Sequence, residues 1–288
     1  MKNLIPDWLY FQLVYIKNYQ RIASFNKPVS FSEKLFARIQ NPLPAFSMLA
    51  DKVAVREYVA NTVGERYLIP CYGVFEQMTP EVFRGLPEQF VLKANHGAGQ
   101  VIIVTDKSSL SPELVSAQAN AWLNEEYGDD SRERHYKLIP RRLIAEKALL
   151  QKNDSPDDYK VHVFNPHDGR DPYCFIQLIK GRSGTLSQAI YLSDWTKAPF
   201  WRAGYALAQK NDESLRPACL EEMLDVAVKL TGSLGYARVD FYVHEGLLYF
   251  GEVTLTPAGG RVRFEPKGLD THLGNLFSWP DKMPEIPV

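Results

Sequence analysis

The chain is short of cysteine, of net charge and of long apolar runs. Its three cysteines, Cys71, Cys174 and Cys219, lie far apart among 288 residues. With no CxxC pair and no Cys/His cluster, neither a zinc site nor a disulfide framework can be built, and buried free thiols in a reducing compartment are expected. The 33 basic and 34 acidic residues leave a formal net charge of −1, without the basic excess of a general nucleic-acid binder. No apolar run approaches the roughly 20 residues that span a bilayer. The N-terminus lacks the basic, apolar and small-residue regions of a secretory leader. A cytoplasmic location and no transmembrane segment follow as expectations. Residues 8–16 (WLYFQLVYI) are rich in aromatics. They are read as the buried face of a first helix, with a peripheral membrane contact left open. No repeat or low-complexity stretch is visible. What remains is an ordinary globular composition, 45% hydrophobic and 23% charged, enough for one large domain or two to three lobes at about 150 residues per domain.

Proline and glycine divide the chain. Helices are expected over 8–20, 31–39 and 51–63, separated by Pro28, Pro42 and Pro44. Ser30 and Glu33 have capping-box spacing. Leu68 to Val74 reads as a strand. Phe90 to Lys93 and Gln100 to Thr105 flank the small, flexible ANHGAG segment and read as a hairpin. A helix follows over 111–126, then a strand from Leu143 to Glu146. Tyr159 to Phe164 and Tyr173 to Ile179 form a strand pair, 218–232 a helix, and 237–255 a second hairpin. Glu133 to Tyr136 is read as a surface helix end. Mixed strands and helices in this order predict an α+β protein of several lobes.

The second hairpin carries the chemistry. A three-residue turn at His244-Glu245-Gly246 would put Arg238, Asp240, Tyr242, Leu248, Phe250, Glu252 and Thr254 on one face, because side chains alternate along a strand. Asp240 and Glu252 would then lie close enough to share a hard cation such as Mg²⁺, which takes one or two carboxylates plus phosphates and water. A two-residue turn would separate the two acids onto opposite faces, and a plain solvated polar face is the alternative. The first hairpin places Lys93 before His96-Gly97-Ala98-Gly99. Glycines there let backbone N–H groups turn toward an anion, although neither a Walker loop nor a Rossmann fingerprint is present. A simple turn is the alternative reading.

Several stretches occur together in a telling order: DKVAVREY (51–58), YLIPCYGV (67–74), FVLKANHGAGQ (90–100), IAEKAL (144–149), DYKVHVFN (158–165), ARVDFY (237–242) and YFGEVTLTPAGG (249–260). This set resembles the ATP-grasp superfamily, and more narrowly the TupA-like (teichuronopeptide-biosynthesis) ATP-grasp proteins of bacterial polysaccharide gene clusters. The resemblance runs from about residue 25 to 275. It implies an ATP-grasp fold, two α+β lobes clamping a nucleotide after a short, mostly helical N-terminal region. The division would be 1–75 for that region, 76–145 for the small lobe with its glycine flap, and 146–288 for the large lobe with the metal site.

By the same resemblance, Lys52 and Lys93 would contact ATP phosphates, and His96, Gly97 and Gly99 would form the flap. Glu146, Lys147 and Leu149 would lie in the hinge strand that reads adenine, and Asp158 would hold the ribose. Asp240 and Glu252, with Thr254 where many relatives have Asn, would hold Mg²⁺. Arg238, with Lys93, would be catalytic. The activity implied is ADP-forming ligation of a carboxylate and an amine through an acyl-phosphate, joining an amino acid or amine to a uronic-acid carboxylate of a surface polysaccharide.

Lys160, Arg182, Arg261 and Arg263 are candidate contacts for an anionic substrate, with solvent exposure as the alternative. Lys160 and His162 alternate along one strand and could both face a cleft. Tyr191, Trp195, Phe200 and Trp201 could stack on a sugar or simply pack. Two other functional classes remain: a glycosyltransferase or sugar kinase of the same pathway, and a non-catalytic nucleotide-binding module. The lack of an evident DxD motif weighs against the transferase, and the retained Lys93, Arg238, Asp240 and Glu252 against the module.

Overall fold

The computed structural model describes residues 5–150, 156–181 and 186–282. Four helices come first: α1 (Asp7–Tyr19), α2 (Phe31–Gln40), α3 (Ala45–Ala50) and α4 (Val55–Val63). The capping box at α2 is formed, with Ser30 accepting the Glu33 N–H and Glu33 accepting the Ser30 N–H. Near the end of α2, the fully buried Arg38 pairs with Asp281 at 2.5 Å and donates to the carbonyls of Tyr236 (3.0 Å) and Leu255 (2.8 Å). The first helices are thereby tied to the far end of the chain.

Helix α1 buries Phe11 and Tyr15 against Phe36, while Trp8, Leu13 and Ile16 stay exposed. It is apolar on both sides, not on one. The single helix expected over 51–63 begins only at Val55, because the Asp51 carboxylate accepts the Val53 N–H at 2.8 Å and holds a turn there.

Next come β1 (Cys71–Phe75), α5 (Pro80–Gly85), β2 (Phe90–Ala94), β3 (Val101–Val104), α6 (Pro112–Trp122) and β4 (Leu143–Lys147). The four strands form an antiparallel sheet in the order β1-β4-β2-β3. Alternation sorts its faces. Phe90, Leu92, Ala94, Leu143 and Ala145 pack with Phe83, Val115 and Trp122 of α5 and α6. Val91, Lys93 and Glu146 fall on the opposite face.

The remainder builds a second antiparallel sheet: β5 (Asp158–Phe164), β6 (Tyr173–Lys180) and β7 (Ser187–Leu192), then β8 (Trp201–Arg202), α7 (Ala206–Asn211), α8 (Leu220–Thr231), β9 (Tyr236–His244), β10 (Leu247–Thr254), β11 (Phe264–Glu265) and α9 (Leu269–Leu276). Its order is β10-β9-β5-β6-β7, with β8 and β11 pairing separately. One face packs on α4 and α8 through Val161, Ile176, Val239, Phe241 and Phe250. Each such buried side chain contributes roughly 1.5–3 kcal/mol of apolar burial. The other face is divided. One end is covered by Phe31, Phe264 and Phe277 over Phe164, Phe175 and Tyr236, and the other carries charged residues toward the first sheet.

Of the cysteines, Cys174 and Cys219 are buried as expected, whereas Cys71 is exposed. The Tyr191–Trp195 pair stacks face to face at 4.2 Å inside the fold, and Phe200 is buried. Tyr191 and Phe200 are thus packing residues, while Trp195 and Trp201 are half-buried. No helix among the described residues is long and apolar enough to cross a membrane.

Candidate active site

The β9–β10 hairpin turns in two residues. Glu245 and Gly246 both have positive φ, 52° and 78°, as a tight two-residue hairpin turn requires. The expected three-residue turn is therefore wrong, and this turn alone would split the two acids. A bulge restores them. Pairing is regular up to Phe250 opposite Phe241, slips by one residue at Gly251, and resumes with Glu252 opposite Asp240 and Thr254 opposite Arg238. A bulge inserts one residue and resets the side-chain alternation beyond it. Leu248 and Phe250, expected beside the acids, instead join the core. Glycine suits the bulge, since a Cβ at 251 would lie 3.1 Å from the Asp240 carbonyl oxygen and 3.1 Å from the Tyr242 ring.

Strand β5 completes the charged face, with Lys160 opposite Asp240 and Asp158 opposite Tyr242. Lys160 Nζ bonds Asp158 at 2.8 Å and also Asp240. Arg238 donates to Asp240 from Nε (2.6 Å) and Nη2 (2.8 Å), to Glu252 (3.0 Å) and to Thr254 Oγ1 (2.8 Å). Burial opposes the Arg238 charge, but Asp240 and Glu252 outweigh it and hold the guanidinium firmly protonated. His162 lies on the same face but beneath its covered end. It stacks on Phe175 at 4.4 Å and meets the Tyr236 hydroxyl at 2.9 Å. It does not reach the cleft, and burial pushes its proton affinity well down.

Across the cleft stand the residues of the first sheet. Lys93 Nζ lies 2.9 Å from Glu146, which Arg56 also holds at 2.8 Å. The segment after Lys93 turns back at Gly99 (φ 83°). Lys52 Nζ reaches the Gly97 carbonyl, and burial lowers its proton affinity while Glu252 raises it. Asn95 anchors the base of this hairpin, donating to Asp51 at 2.7 Å and accepting the Arg142 N–H at 2.7 Å. The cleft between the sheets measures about 560 Å³. Lys52, Lys93, Gly97, Gly99, Lys147, Leu149, Asp158, Lys160, Asp240 and Glu252 all line it.

A second chamber of about 640 Å³ adjoins the first and shares Lys52, Gly97, Ala98 and Glu252 with it. Arg238, Thr254 and Arg261 line it, as do Tyr127, Glu133 and Tyr136. Here the reading of Glu133 to Tyr136 as a surface helix end fails. Glu133 and His135 are buried, and a short turn of 3₁₀ helix, Arg134–Leu138, carries Tyr136 into the wall. The loop beyond β10 curls around the chamber through Ala258, Gly259 and Gly260, all with positive φ.

Three sequence candidates stand apart from both chambers. His96 turns into the first sheet's core, within 3.3 Å of Asn95 and 3.2 Å of the Trp122 carbonyl, where burial and Arg141 depress its proton affinity. Glu146 lies behind Lys93 as its partner. Arg263 is exposed and donates to the Asn18 carbonyl at 2.9 Å. Arg182 lies outside the described residues. In sequence, Arg56 and Tyr127 have no evident role, and Glu133 and Tyr136 look like a surface helix end. Glutamate and tyrosine in a loop without strand alternation carry no signal of burial.

Two antiparallel sheets facing each other over a lysine-bearing glycine hairpin and a paired-acid hairpin define an α+β protein of the ATP-grasp fold. A family model described as TupA-like ATPgrasp matches residues 33–278. The chain belongs to that family. Among solved structures it is similar to D-alanine–D-alanine ligase from Bacillus anthracis complexed with ATP (17% identity, 73% of this chain and 54% of that one, TM-score 0.39). It is also similar to D-alanine–D-alanine ligase from Helicobacter pylori (14%, 82% and 60%, 0.43). A third is N5-carboxyaminoimidazole ribonucleotide synthetase from Thermus thermophilus (12%, 75% and 47%, 0.41). The chain thus spans between 47% and 60% of the length of these three proteins. No curated protein matches it.

Proposed function

We propose that the chain is an ATP- and Mg²⁺-dependent carboxylate–amine ligase of the ADP-forming type. The observation that carries this reading is the pairing of Asp240 with Glu252 across a bulged hairpin, facing Lys52 and Lys93 over one cleft. Lys147 and Leu149 line the cleft at the end of β4 and suit an adenine ring. Asp158, locked to Lys160, serves the ribose side. The small sheet and the second sheet act as the two lobes.

The donors suit a hard cation. Glu252 is 37% exposed and offers Oε2 free of the bonds that Arg238 and Thr254 make to Oε1. Both Asp240 oxygens are engaged by Arg238 and Lys160, so a bound ion would replace one of these cations there. Among the described residues no three acidic, histidine or cysteine side chains converge, so phosphate and water would complete the shell, as magnesium accepts. Asp240 and Glu252 would hold the ion, with Thr254 orienting Glu252. Magnesium bound there would offset phosphate charge. The acceptor carboxylate attacks the γ-phosphorus, the bond to ADP breaks, and an acyl-phosphate forms. Arg238, aimed from β9 at the junction of the chambers, stabilises the transferring group, and Lys52 and Lys93 hold the phosphates. An amine then displaces phosphate.

Family membership supports a uronic-acid carboxylate on a bacterial surface polysaccharide as acceptor and an amino acid or amine as donor. A need for ATP supports a cytoplasmic reaction. The test is release of ADP and phosphate from Mg–ATP with glucuronate and an amino acid. Asp240→Asn and Glu252→Gln are each expected to remove it, and full activity in both variants would refute the reading.

A further inference from the structure

The second chamber holds a buried carboxylate without an ion-paired cation. Glu133 is 6% exposed. Its carboxylate is met by two hydroxyls, Ser131 Oγ at 2.5 Å and Thr256 Oγ1. Among the described residues no cation pairs with it within 4.0 Å. Buried carboxylates ordinarily have a paired cation or lose their charge, and burial raises the proton affinity of this one.

None of the charged groups around it forms an ion pair with it, although the Arg261 guanidinium lies near enough to lower its proton affinity somewhat. Tyr127 and Tyr136 flank it from the 127–136 segment, both held protonated by burial and by Glu133 itself. From the glycine loop, Arg261 is exposed and bonds the Ala258 carbonyl at 3.0 Å. From the large sheet, Arg238 is already engaged by Asp240 and Glu252. At the rim, Glu126 and Asp129 are exposed and paired with Lys137 at 3.5 and 2.5 Å, and Asp130 adds a further exposed acid. Away from its junction with the nucleotide cleft the chamber's lining thus carries Glu126, Asp129, Asp130 and Glu133 against Arg261, while Lys52 and Arg238 stand with Glu252 toward that junction.

Resting on the ligase reading above, we propose that this chamber takes the amine substrate as its ammonium ion, with Glu133 as counter-ion and proton acceptor. The ammonium group passes one proton to a Glu133 oxygen. The freed nitrogen lone pair forms the C–N bond to the acyl carbon. The C–O bond to phosphate breaks, and the phosphate leaves with that electron pair and takes the second N–H proton. Glu133 then returns its proton to solvent. The raised proton affinity of Glu133 favours this transfer.

The test is calorimetric binding of L-alanine and ethanolamine to the full chain with Mg²⁺ and a non-hydrolysable ATP analogue. L-lactate and ethylene glycol serve as counterparts without the amine. At least one amine should bind, with its counterpart at least about tenfold weaker. Glu133→Gln should weaken that amine about ten- to hundredfold, the range for a charged hydrogen bond, and leave the analogue's affinity unchanged. The proposal is overturned if none of the amines binds, if the counterparts bind equally well, or if the variant binds amines as the wild type does. The wild-type comparison decides the matter even if Glu133→Gln fails to fold. A hydroxylamine trap with ATP and glucuronate tests the ligase reading separately, because hydroxylamine is already neutral at pH 7, needs no deprotonation by Glu133 before it attacks, and gives its N–H proton to the leaving phosphate. Amine binding without hydroxamate refutes the ligase reading alone, and hydroxamate without amine binding refutes the chamber assignment alone.

Discussion

The charge balance of the cleft turns on Asp240. Its side chain is 3% exposed and takes Arg238 at 2.6 Å and Lys160, whose own side chain is 8% exposed. Asp240→Asn preserves volume and removes the charge. Arg238 keeps Glu252 at 3.0 Å and Lys160 keeps Asp158 at 2.8 Å, so neither cation is wholly orphaned. Breaking a buried pair costs about 3–5 kcal/mol, and the surviving partners put this case near about 3 kcal/mol. At about 2–4 °C per kcal/mol for a chain of this size, Tm should fall by about 6–12 °C. Lys160→Met alone leaves Asp158 and Asp240 facing each other and should cost about 3–5 kcal/mol. Together the two substitutions restore neutrality. The double variant should therefore lose less than the sum, with a coupling of about 1–3 kcal/mol. Thermal and urea unfolding of the four proteins, ligand-free at pH 7 and low salt, measures this cycle. A double variant that loses the full sum would refute the charge-balance reasoning, because the side chains would then be contributing independently.

Two further outcomes follow from paired charges outside the cleft. Burial works against the Asp212 charge, but bonds from Lys180 (2.6 Å), Tyr191 (2.5 Å) and Ser214 more than offset it and hold its pKa at about 2. A depressed carboxyl pKa stabilises the fold above the ordinary value of about 3.8 and loses that contribution as pH falls toward 2. Asp212→Asn should therefore cost about 1–2 kcal/mol at pH 7, allowing for solvent screening, and almost nothing near pH 2 in a urea series. Arg38→Met strands Asp281 and leaves two carbonyls without their donor. It should lower unfolding stability by about 3–5 kcal/mol while leaving any residual nucleotide affinity close to that of the wild type.

Much of the architecture was legible because its strands alternate cleanly. Phe90 to Lys93, Tyr159 to Phe164 and Ala237 to Val243 each fall where the period-2 pattern puts them, and Ser30 with Glu33 starts α2 as its spacing predicts. Failures came where side chains overrule backbone periodicity. Asp51 looks like the start of a helix, but its carboxylate is recruited by Val53, Asn95 and Arg142. His96 sits in a glycine loop and so looks available to a ligand, yet it bonds a helix-end carbonyl at Trp122. Glu133 and Tyr136 belong to a segment whose burial depends on α1. Asp7 pairs with Arg132 and Arg134 at 2.6 Å each, and Arg132 lies 4.0 Å over the Tyr10 ring. Contacts across more than a hundred residues leave no local trace.

The paired acids show how a site can be reached through a wrong register. Alternation fixes only whether two residues on one strand share a face. Across a hairpin, the answer depends on whether the loop and any bulge together shift the pairing by an odd or an even number. The expected three-residue turn and the observed two-residue turn differ by one, which would send Glu252 to the core side. The bulge at Gly251 adds one back. Nothing in the alternation of LLYFGEVTL distinguishes the two routes. The difference lies in Leu248 and Phe250, which only the bulged register buries while Glu252 and Thr254 still face the cleft. Burying two large apolar side chains, at roughly 1.5–3 kcal/mol each, is what selects the tight turn. The glycine at 251, whose missing Cβ spares the Asp240 carbonyl, lets that core and the paired acids coexist on one strand.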